Sequence, residues 1–534
     1  MKMEVIKRIV LLFALLFGYS AVNAADDGLI TQQITIKLDK AGTLPDKISN
    51  SKKYKITNLK IVGEINGTDV RLIRDMLGHD IGDNLTDGHL VCLDLSEVKI
   101  VSGGDAYYQD KYEKSYTTDK KLGNNFFRFC GELTDLSLPI SITSIGDEAF
   151  SDCRSLSSIT IPSGVTSIGD YAFLYCLSLS NITIPSSVTS IGDYAFFGCQ
   201  SLSSITIPSS VTSIGKYVFI ACTGLTSVEL PSNITSIVEG MFHDCISLTS
   251  IEIPSGVTSI GTAAFCGCDN LTSLKIPSGI TMIENKIFQD CKSLTSIEIP
   301  SGVTSIGNDA FWGCSGLKEL TLPLGVTSIG RGAFGKCSGL TKFEFPPEIT
   351  SIGESMFEYC TGFTEFNIPS EITSIGDYAF RGCSNILKVN IPSGVASIGE
   401  GAFAECSGLA NIEIPSSVTS IGAVVLYGSS LSSILVNWET PLSINSDIFY
   451  GLDKKKCTLY VPKGTFQDYW LADEWGDFGN IVEYDVTGVD KVTTSTEAKE
   501  LSRYSVNGQR LSATTKGLNI VKYSDGSVKK VAVQ

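Results

Sequence analysis

The sequence is poor in histidine, in basic residues and in long hydrophobic runs. It has 3 His among 534 residues, and 41 basic against 57 acidic residues give a formal net charge of −16. Few histidines disfavour a His-rich metal site, and the negative charge disfavours nucleic-acid binding. Ser, Gly and Pro interrupt every apolar stretch before it reaches about 18 residues, so no transmembrane segment is predicted. The hydrophobic content of 43% excludes a disordered chain.

Catalytic signatures are also missing. The sequence has no G-x-S-x-G, H-E-x-x-H or G-x-x-x-x-G-K-S/T motif, which are typical of hydrolases, metalloproteases and nucleotide-binding proteins. His79 and His89 flank an acidic stretch whose order matches no calcium loop, so we interpret it as a solvated turn. We predict a non-enzymatic protein without cofactor or metal, with a glycan-active enzyme as the remote alternative.

Residues 1–24 have the parts of a signal peptide. Three basic residues precede an apolar run from Ile9 to Phe17, and Val22 and Ala24 are small residues at the positions that signal peptidase reads. The run is too short to span a bilayer. We therefore predict an exported protein, secreted or held at the cell surface at the outer membrane.

Cysteine spacing indicates a repeat. Thirteen cysteines follow one another at intervals of 23 residues, and Phe precedes and Pro follows each of them at fixed distances. Such a period is the signature of a solenoid. The repeating cysteines are Cys130, Cys153, Cys176, Cys199, Cys222, Cys245, Cys268, Cys291, Cys314, Cys337, Cys360, Cys383 and Cys406.

Each repeat reads as one turn of backbone. In the unit that starts at Cys176, Leu179, Ile182 and Ile184 form an L-x-x-I-x-I strand, and Pro185 ends it. We predict an all-β-rich solenoid of 13 coils over residues 130–428, stacked as a right-handed superhelix. Because one coil cannot bury its own apolar face, both ends need caps.

The unit L-x-x-I-x-I-P-x-x-V-T-S-I-G-x-x-A-F-x-x-C resembles the leucine-rich repeats of the BspA-like surface proteins of Bacteroidetes. The resemblance implies adhesion to an extracellular protein or cell-surface ligand, either a host matrix or mucosal protein or another bacterium. A structural surface spacer without a specific ligand is the alternative.

The flanks differ from the array. Residues 25–129 are interpreted as an N-terminal cap and first coil with a polar insertion at 101–125, and residues 429–485 as a C-terminal cap. Residues 486–500 have the composition of a linker. We expect a helix near Thr68, with Thr68 as its N-cap.

Residues 501–534 form a basic tail. Six basic residues and one acidic residue give it a net charge of plus 5, and turn dipeptides predict a β-hairpin. The tail resembles the sorting signals of type IX secretion at Lys516, Gly517, Lys529 and Lys530. The alternative is a hairpin with a solvated basic face.

Candidate binding residues lie on the outward side of the predicted strands. Extended strand faces are the usual binding surfaces of solenoids, although small polar residues there also serve to avoid apolar exposure. The candidates are Glu229, Glu252, Lys275, Glu298, Glu319, Lys342 and Glu344, together with Tyr107, Tyr108 and Tyr112 of the insertion.

The cysteine column has two interpretations. Stacked cysteines come within disulfide range, but their side chains point in parallel, so we expect reduced, buried thiols. The redox state of Cys92, Cys266 and Cys457, which lie off the column, stays open at this stage.

Overall fold

The computed structural model describes residues 28–485, 500–505, 510–511, 513, 516–523 and 528–533. The predicted signal peptide, 1–24, lies outside the described residues. So does the predicted linker, apart from Glu500.

The chain forms a solenoid of about 20 stacked turns with repeats about 23 residues apart, which confirms the predicted fold. Each turn of the array contributes to two rows of short parallel strands. The first row holds the L-x-x-I-x-I segment, and the second row holds the Ser-Ile segment that follows the proline. Asn181 pairs with Ser158 and Ile182 with Ile159, so neighbouring strands are related by the 23-residue step.

The N-terminal strands are β1 (Ile34–Leu38), β2 (Asn58–Ile65), β3 (Cys92–Ile100), β4 (Gly103–Gln109), β5 (Lys114–Thr117), β6 (Lys121–Leu122) and β7 (Asp135–Ser137). First-row strands of the array are β9 (Ser158–Thr160), β11 (Asn181–Thr183), β13 (Ser204–Thr206), β15 (Ser227–Glu229), β18 (Ser273–Lys275), β20 (Ser296–Glu298), β22 (Glu319–Leu320), β24 (Lys342–Phe343), β26 (Glu365–Asn367), β28 (Lys388–Asn390) and β30 (Asn411–Ile414).

Second-row strands, which stack on β6, are β8 (Ser144–Ile145), β10 (Ser167–Ile168), β12 (Ser190–Ile191), β14 (Ser213–Ile214), β16 (Ser236–Ile237), β17 (Ser259–Ile260), β19 (Met282–Ile283), β21 (Ser305–Ile306), β23 (Ser328–Ile329), β25 (Ser351–Ile352), β27 (Ser374–Ile375), β29 (Ser397–Ile398) and β31 (Ser420–Ile421). The C-terminal strands are β32 (Ser433–Val436), β33 (Thr458–Pro462) and β34 (Asn480–Tyr484), and the helices are α1 (Leu44–Lys47), α2 (Gly67–Met76) and α3 (Phe466–Leu471).

A third stack of hydrogen bonds runs through the Ala-Phe segment. The N–H groups of Phe150 and Phe173 donate to the carbonyls of Ala172 and Ala195 in the next turn, both at 2.8 Å. The phenylalanine rings stack in the same direction, with centroids 5.1 Å apart between Phe150 and Phe173. Gly192 is required nearby, because a Cβ there would lie 2.5 Å from the backbone nitrogen of Asp170. Each turn therefore contacts its neighbour through backbone as well as side chains.

The repeating cysteines are buried and make a hydrogen bond of their own. The thiol of Cys176 donates to the carbonyl of Phe150, one turn earlier, at 3.2 Å, and the same bond recurs from Cys153 to Cys406. All 16 cysteines are free, which confirms the expected reduced state and extends it to the three that lie off the column. Burial raises the pKa of the Cys222 thiol to about 12.

Strands β1, β2, β3 and β7 form one parallel sheet, so stacking begins well before Cys130. Helix α2 packs beside this sheet. Its N-cap is Asn66, whose side chain accepts from the N–H of Thr68 at 3.1 Å. The expectation that Thr68 caps the helix is wrong, because Asn66 and Asp69 form the reciprocal capping box one turn position earlier.

The first Cys130 turn has carbonyls with no preceding Ala-Phe segment to bind them. Two side chains replace it. The hydroxyl of Tyr107 donates to the carbonyl of Asn124 at 2.7 Å, and the guanidinium of Arg74 donates to the carbonyl of Arg128 at 3.1 Å. Arg74 is fully buried and also binds Asp83 at 2.6 Å. Burial raises the pKa of Asp83, although Arg74 and Arg128 oppose the shift.

The C-terminal end continues the stack and then closes it with aromatic residues. Strands β32, β33 and β34 extend the first row in parallel. The indole N–H of Trp438 donates to Val418 at 2.8 Å, and that of Trp475 donates to Leu442 at 2.9 Å. Trp470 is 54% exposed and takes no part in this closure.

The tail strands form a separate antiparallel sheet. They are β35 (Glu500–Ser505), β36 (Arg510–Leu511), β37 (Gly517–Tyr523) and β38 (Val528–Val533), in the order β36-β35-β37-β38. The predicted turns at Asn507-Gly508 and Asp525-Gly526 lie outside the described residues.

We expect Arg74→Met to destabilise the N-terminal turns by about 3–5 kcal/mol, because it leaves Asp83 buried without its partner and removes a donor from the first-turn carbonyls. Arg71→Met is the matched control, since Arg71 is exposed on the same helix, and it should change stability by less than about 0.5 kcal/mol. Hydrogen exchange in β2 and β3 measures the difference, because solenoid ends open locally. Equal exchange in the two variants would contradict this capping role.

We expect a thiol reagent at pH 8 to label one cysteine rapidly in the folded protein, Cys92. It is half-buried, whereas the other 15 cysteines are buried. A buried thiol with a raised pKa supplies almost no thiolate for the reaction. Mass spectrometry before and after denaturation counts the labels, and Cys92→Ala should remove the rapid one. Rapid labelling of several column cysteines would refute the buried column.

Candidate binding surface

The exposed side of the first strand row forms two columns of side chains. In each turn the middle residue of the strand points inward, and the residues on either side of it point outward, five and seven places after the repeating cysteine. Parallel pairing aligns these positions, so that Thr183 lies beside Thr160 and Asn181 beside Ser158. We call this surface the outward face.

The outward face changes in charge along the array. Its first turns carry Ser, Thr and Asn, and charged residues begin at β15. All seven charged candidates from the sequence lie here and are exposed: Glu229, Glu252, Lys275, Glu298, Glu319, Lys342 and Glu344. Cross-strand pairing places Lys275 opposite Glu298 and Glu319 opposite Lys342. The structure thus brings the predicted charged residues together on one continuous face.

An open groove of about 590 Å³ lies on this face between Ser204 and Ser255. It opens where the strand pairing lapses: β15 pairs with β13, whereas residues 250–253 form no strand. Ile205, Val228 and Leu230 line it together with Glu229 and Glu252. The groove therefore has an apolar floor and an acidic margin.

The charges of the groove differ from those farther along the face. The hydroxyl of Thr206 donates to the carboxylate of Glu229 at 3.1 Å. Within the part of the chain that the structure describes, neither Glu229 nor Glu252 belongs to an ion pair, whereas Lys342 and Glu344 pair with each other. The hydrogen bond from Lys342 lowers the pKa of Glu344. The groove thus presents two carboxylates to solvent, and the later turn neutralises its own.

The insertion is a hairpin of β4 and β5 that lies against α2. Tyr107 and Tyr108 are buried in it, so the prediction that they contact a ligand is wrong. Tyr107 caps the first turn, and Tyr108 lies 5.6 Å from both the Arg74 and the Arg128 guanidinium groups. Tyr112, at the hairpin tip, is 81% exposed and stays a candidate.

The predicted sorting residues lie on the tail sheet. Lys516 is exposed just before β37, which begins at Gly517. The backbones of Lys529 and Lys530 belong to β38 and pair with Val521 and Ile520. Nothing in this placement tests their sorting role.

Two further findings concern metal and membrane. Over the described residues, no group of three or more His, Cys, Asp or Glu side chains is placed to hold a metal ion. In the same part of the chain, no helix is long and apolar enough to cross a membrane.

The stacked turns and their fixed step define a leucine-rich repeat solenoid. The family model for the BspA type leucine rich repeat region matches residues 120–249, 235–364 and 327–456, more than half of the chain. The chain therefore belongs to the BspA-type leucine-rich repeat family.

Solved structures agree with this assignment. The chain is 27% identical to a leucine-rich repeat protein from Bacteroides ovatus ATCC 8483, with a TM-score of 0.51, over 71% of this chain and 90% of that one. It is 33% identical to a leucine rich cell surface protein from Faecalibacterium prausnitzii A2-165, with a TM-score of 0.43, over 59% of this chain and 85% of that one. No curated protein matches the chain significantly.

Proposed function

We propose that this protein is exported to the cell surface and binds a protein partner along the outward face. Membership of a leucine-rich repeat family of surface proteins supports a scaffold for protein binding. The partner is an extracellular protein of the host matrix or mucosa, or a surface protein of another bacterium. No catalytic constellation is invoked in this role.

The groove at Glu229 and Glu252 carries the proposal. Two neighbouring turns place these carboxylates on its margin, and neither is neutralised by an ion pair among the described residues. Like charges held side by side repel each other unless a cation lies between them. A partner that inserts a Lys or Arg side chain into the groove supplies that cation and covers the apolar floor with the stem of the same side chain.

The charged turns beyond the groove extend the contact. Lys275, Glu298, Glu319 and Lys342 alternate in sign along the outward face, which sets the register of a partner rather than its affinity. Each contact is weak, and many copies on one cell add avidity. Tyr112 at the hairpin tip is a second, separate point of contact.

Display on the cell surface follows from the two ends of the sequence. The proposed signal peptide, 1–24, directs export. The tail with Lys516, Gly517, Lys529 and Lys530 directs passage across the outer membrane by a type IX route. Protease shaving of intact cells, with and without residues 501–534, tests this part of the proposal: loss of the surface signal in the truncated strain is expected, and unchanged display would contradict it.

Binding is tested with the mature chain from Ala25, immobilised and offered to host matrix proteins, mucosal proteins and partner bacteria. For a partner that binds, we expect the double variant Glu229→Lys/Glu252→Lys to weaken affinity at least about tenfold, since it places two positive charges against a cationic partner. Surface interferometry measures the affinity, and thermal unfolding checks that the variant keeps its fold.

The matched control is Glu348→Lys/Glu371→Lys, which changes the net charge by the same amount at exposed residues off the outward face. It should bind like the parent. An equal loss in both variants would show that net charge alone governs binding. No saturable binding to any partner would favour the alternative function, a structural surface spacer.

A further inference from the structure

The outward face changes from polar to apolar in its last three turns. From Thr160 to Glu413, the column seven places after the repeating cysteine carries Thr, Glu, Lys and Asn, all of them exposed. Its continuation is Leu435, Tyr460 and Val482, which are half-buried. Pairing places Leu435 beside Tyr460 and Tyr460 beside Val482, so the three form one apolar row. An apolar row on an otherwise polar face indicates that something covers it.

The same three turns contain the end of the parallel sheet. Strand β34 is last in the order β26-β28-β30-β32-β33-β34, so one of its edges has no strand of that sheet beside it. Tyr484 lies two places after Val482 and on the same face, yet it is only 5% exposed. Its hydroxyl donates to the carbonyl of Val436 at 3.0 Å. A tyrosine on an outward, terminal strand reaches that degree of burial only under a cover.

The tail sheet is in position to be that cover. Strand β38 contacts β34. Burial raises the pKa of Tyr460, and the nearby phenol of Tyr504, on β35, adds to the shift. Thus two different tail strands lie close to the apolar row or to the strand that ends it.

Charge favours the same arrangement. The tail, residues 501–534, has six basic residues and one acidic residue, 6 − 1 = +5, on a chain whose total is −16. Glu413 lies in the column just before the apolar row, and Glu483 and Asp485 lie in or next to β34. A basic sheet over an acidic margin gains electrostatic attraction in addition to the apolar contact.

We propose that the tail sheet, β35 to β38, docks on the outward face of its own chain, with Leu435, Tyr460 and Val482 as the seat. The tail then covers the end of the parallel sheet, and the part of the outward face that is open to a partner ends near Glu413. This inference does not depend on the identity of any partner.

Hydrogen exchange of the full mature chain tests the docking. Tyr460→Asp puts a charge into the seat, and we expect exchange in β37 and β38 to become about tenfold faster. Tyr504→Asp changes the other side of the contact, and we expect faster exchange in β34, which the substitution itself does not touch. Tyr112→Asp is the control, because Tyr112 is an exposed tyrosine far from both, and it should leave all these segments unchanged.

The reciprocal pair keeps the test informative when one variant unfolds locally. Column cysteines that stay unlabelled by a thiol reagent show that the array remains folded in each variant. Unchanged exchange in β37 and β38 of Tyr460→Asp, or in β34 of Tyr504→Asp, would overturn the proposal. Protection of β34 that falls on dilution would overturn it too, because the cover would then come from the tail of a second copy.

Discussion

Equal turn length is the constraint on which the rest of this structure depends. With a step of 23 residues, every polar group that one turn leaves open meets the same complementary group one turn away. The Ala-Phe N–H groups bind the next turn, the threonine hydroxyls and the cysteine thiols bind the previous one, and the phenylalanine rings stack between them. Stability is therefore a property of interfaces between turns rather than of any single turn.

The same constraint explains why the two ends are unlike the array. The first turn needs donors that no earlier Ala-Phe segment supplies, and Tyr107 and Arg74 provide them from outside the repeat. The last turns use indole and phenol groups, which cover apolar area and still donate a hydrogen bond. The tail sheet, as proposed above, completes this end by covering the outward face. Function is left to the surface between the two ends.

Much of the fold was predictable because the repeat carries its own register. Ile182 and Ile184 are buried and Thr183 is exposed, as strand alternation requires. Tyr107 and Tyr108 were not predictable as core residues, since nothing local tells which way an insertion folds. The contact of Arg74 with carbonyls more than 50 residues away has no sequence signal other than an arginine on the apolar side of a helix, next to Ile73.

The groove shows the limit of local sequence most clearly. Residues 248–261 and 294–307 have the same sequence, LTSIEIPSGVTSIG. The second copy forms β20 and pairs with β18, whereas the first leaves residues 250–253 outside any strand. The two segments differ only in the turns beside them. The charged candidates could therefore be named from the sequence, but the groove beside Glu229 and Glu252 could not.

Removal of one whole turn tests the central claim most directly. Deletion of residues 269–291 joins Cys268 to Lys292 and keeps every column in register, whereas deletion of 270–291 is one residue shorter and shifts all later turns against the earlier ones. Thermal unfolding followed by circular dichroism, with the count of protected thiols, compares the two. The account predicts parent-like cooperative unfolding and a protected column for the first deletion, and loss of both for the second. Equal behaviour of the two deletions would contradict it.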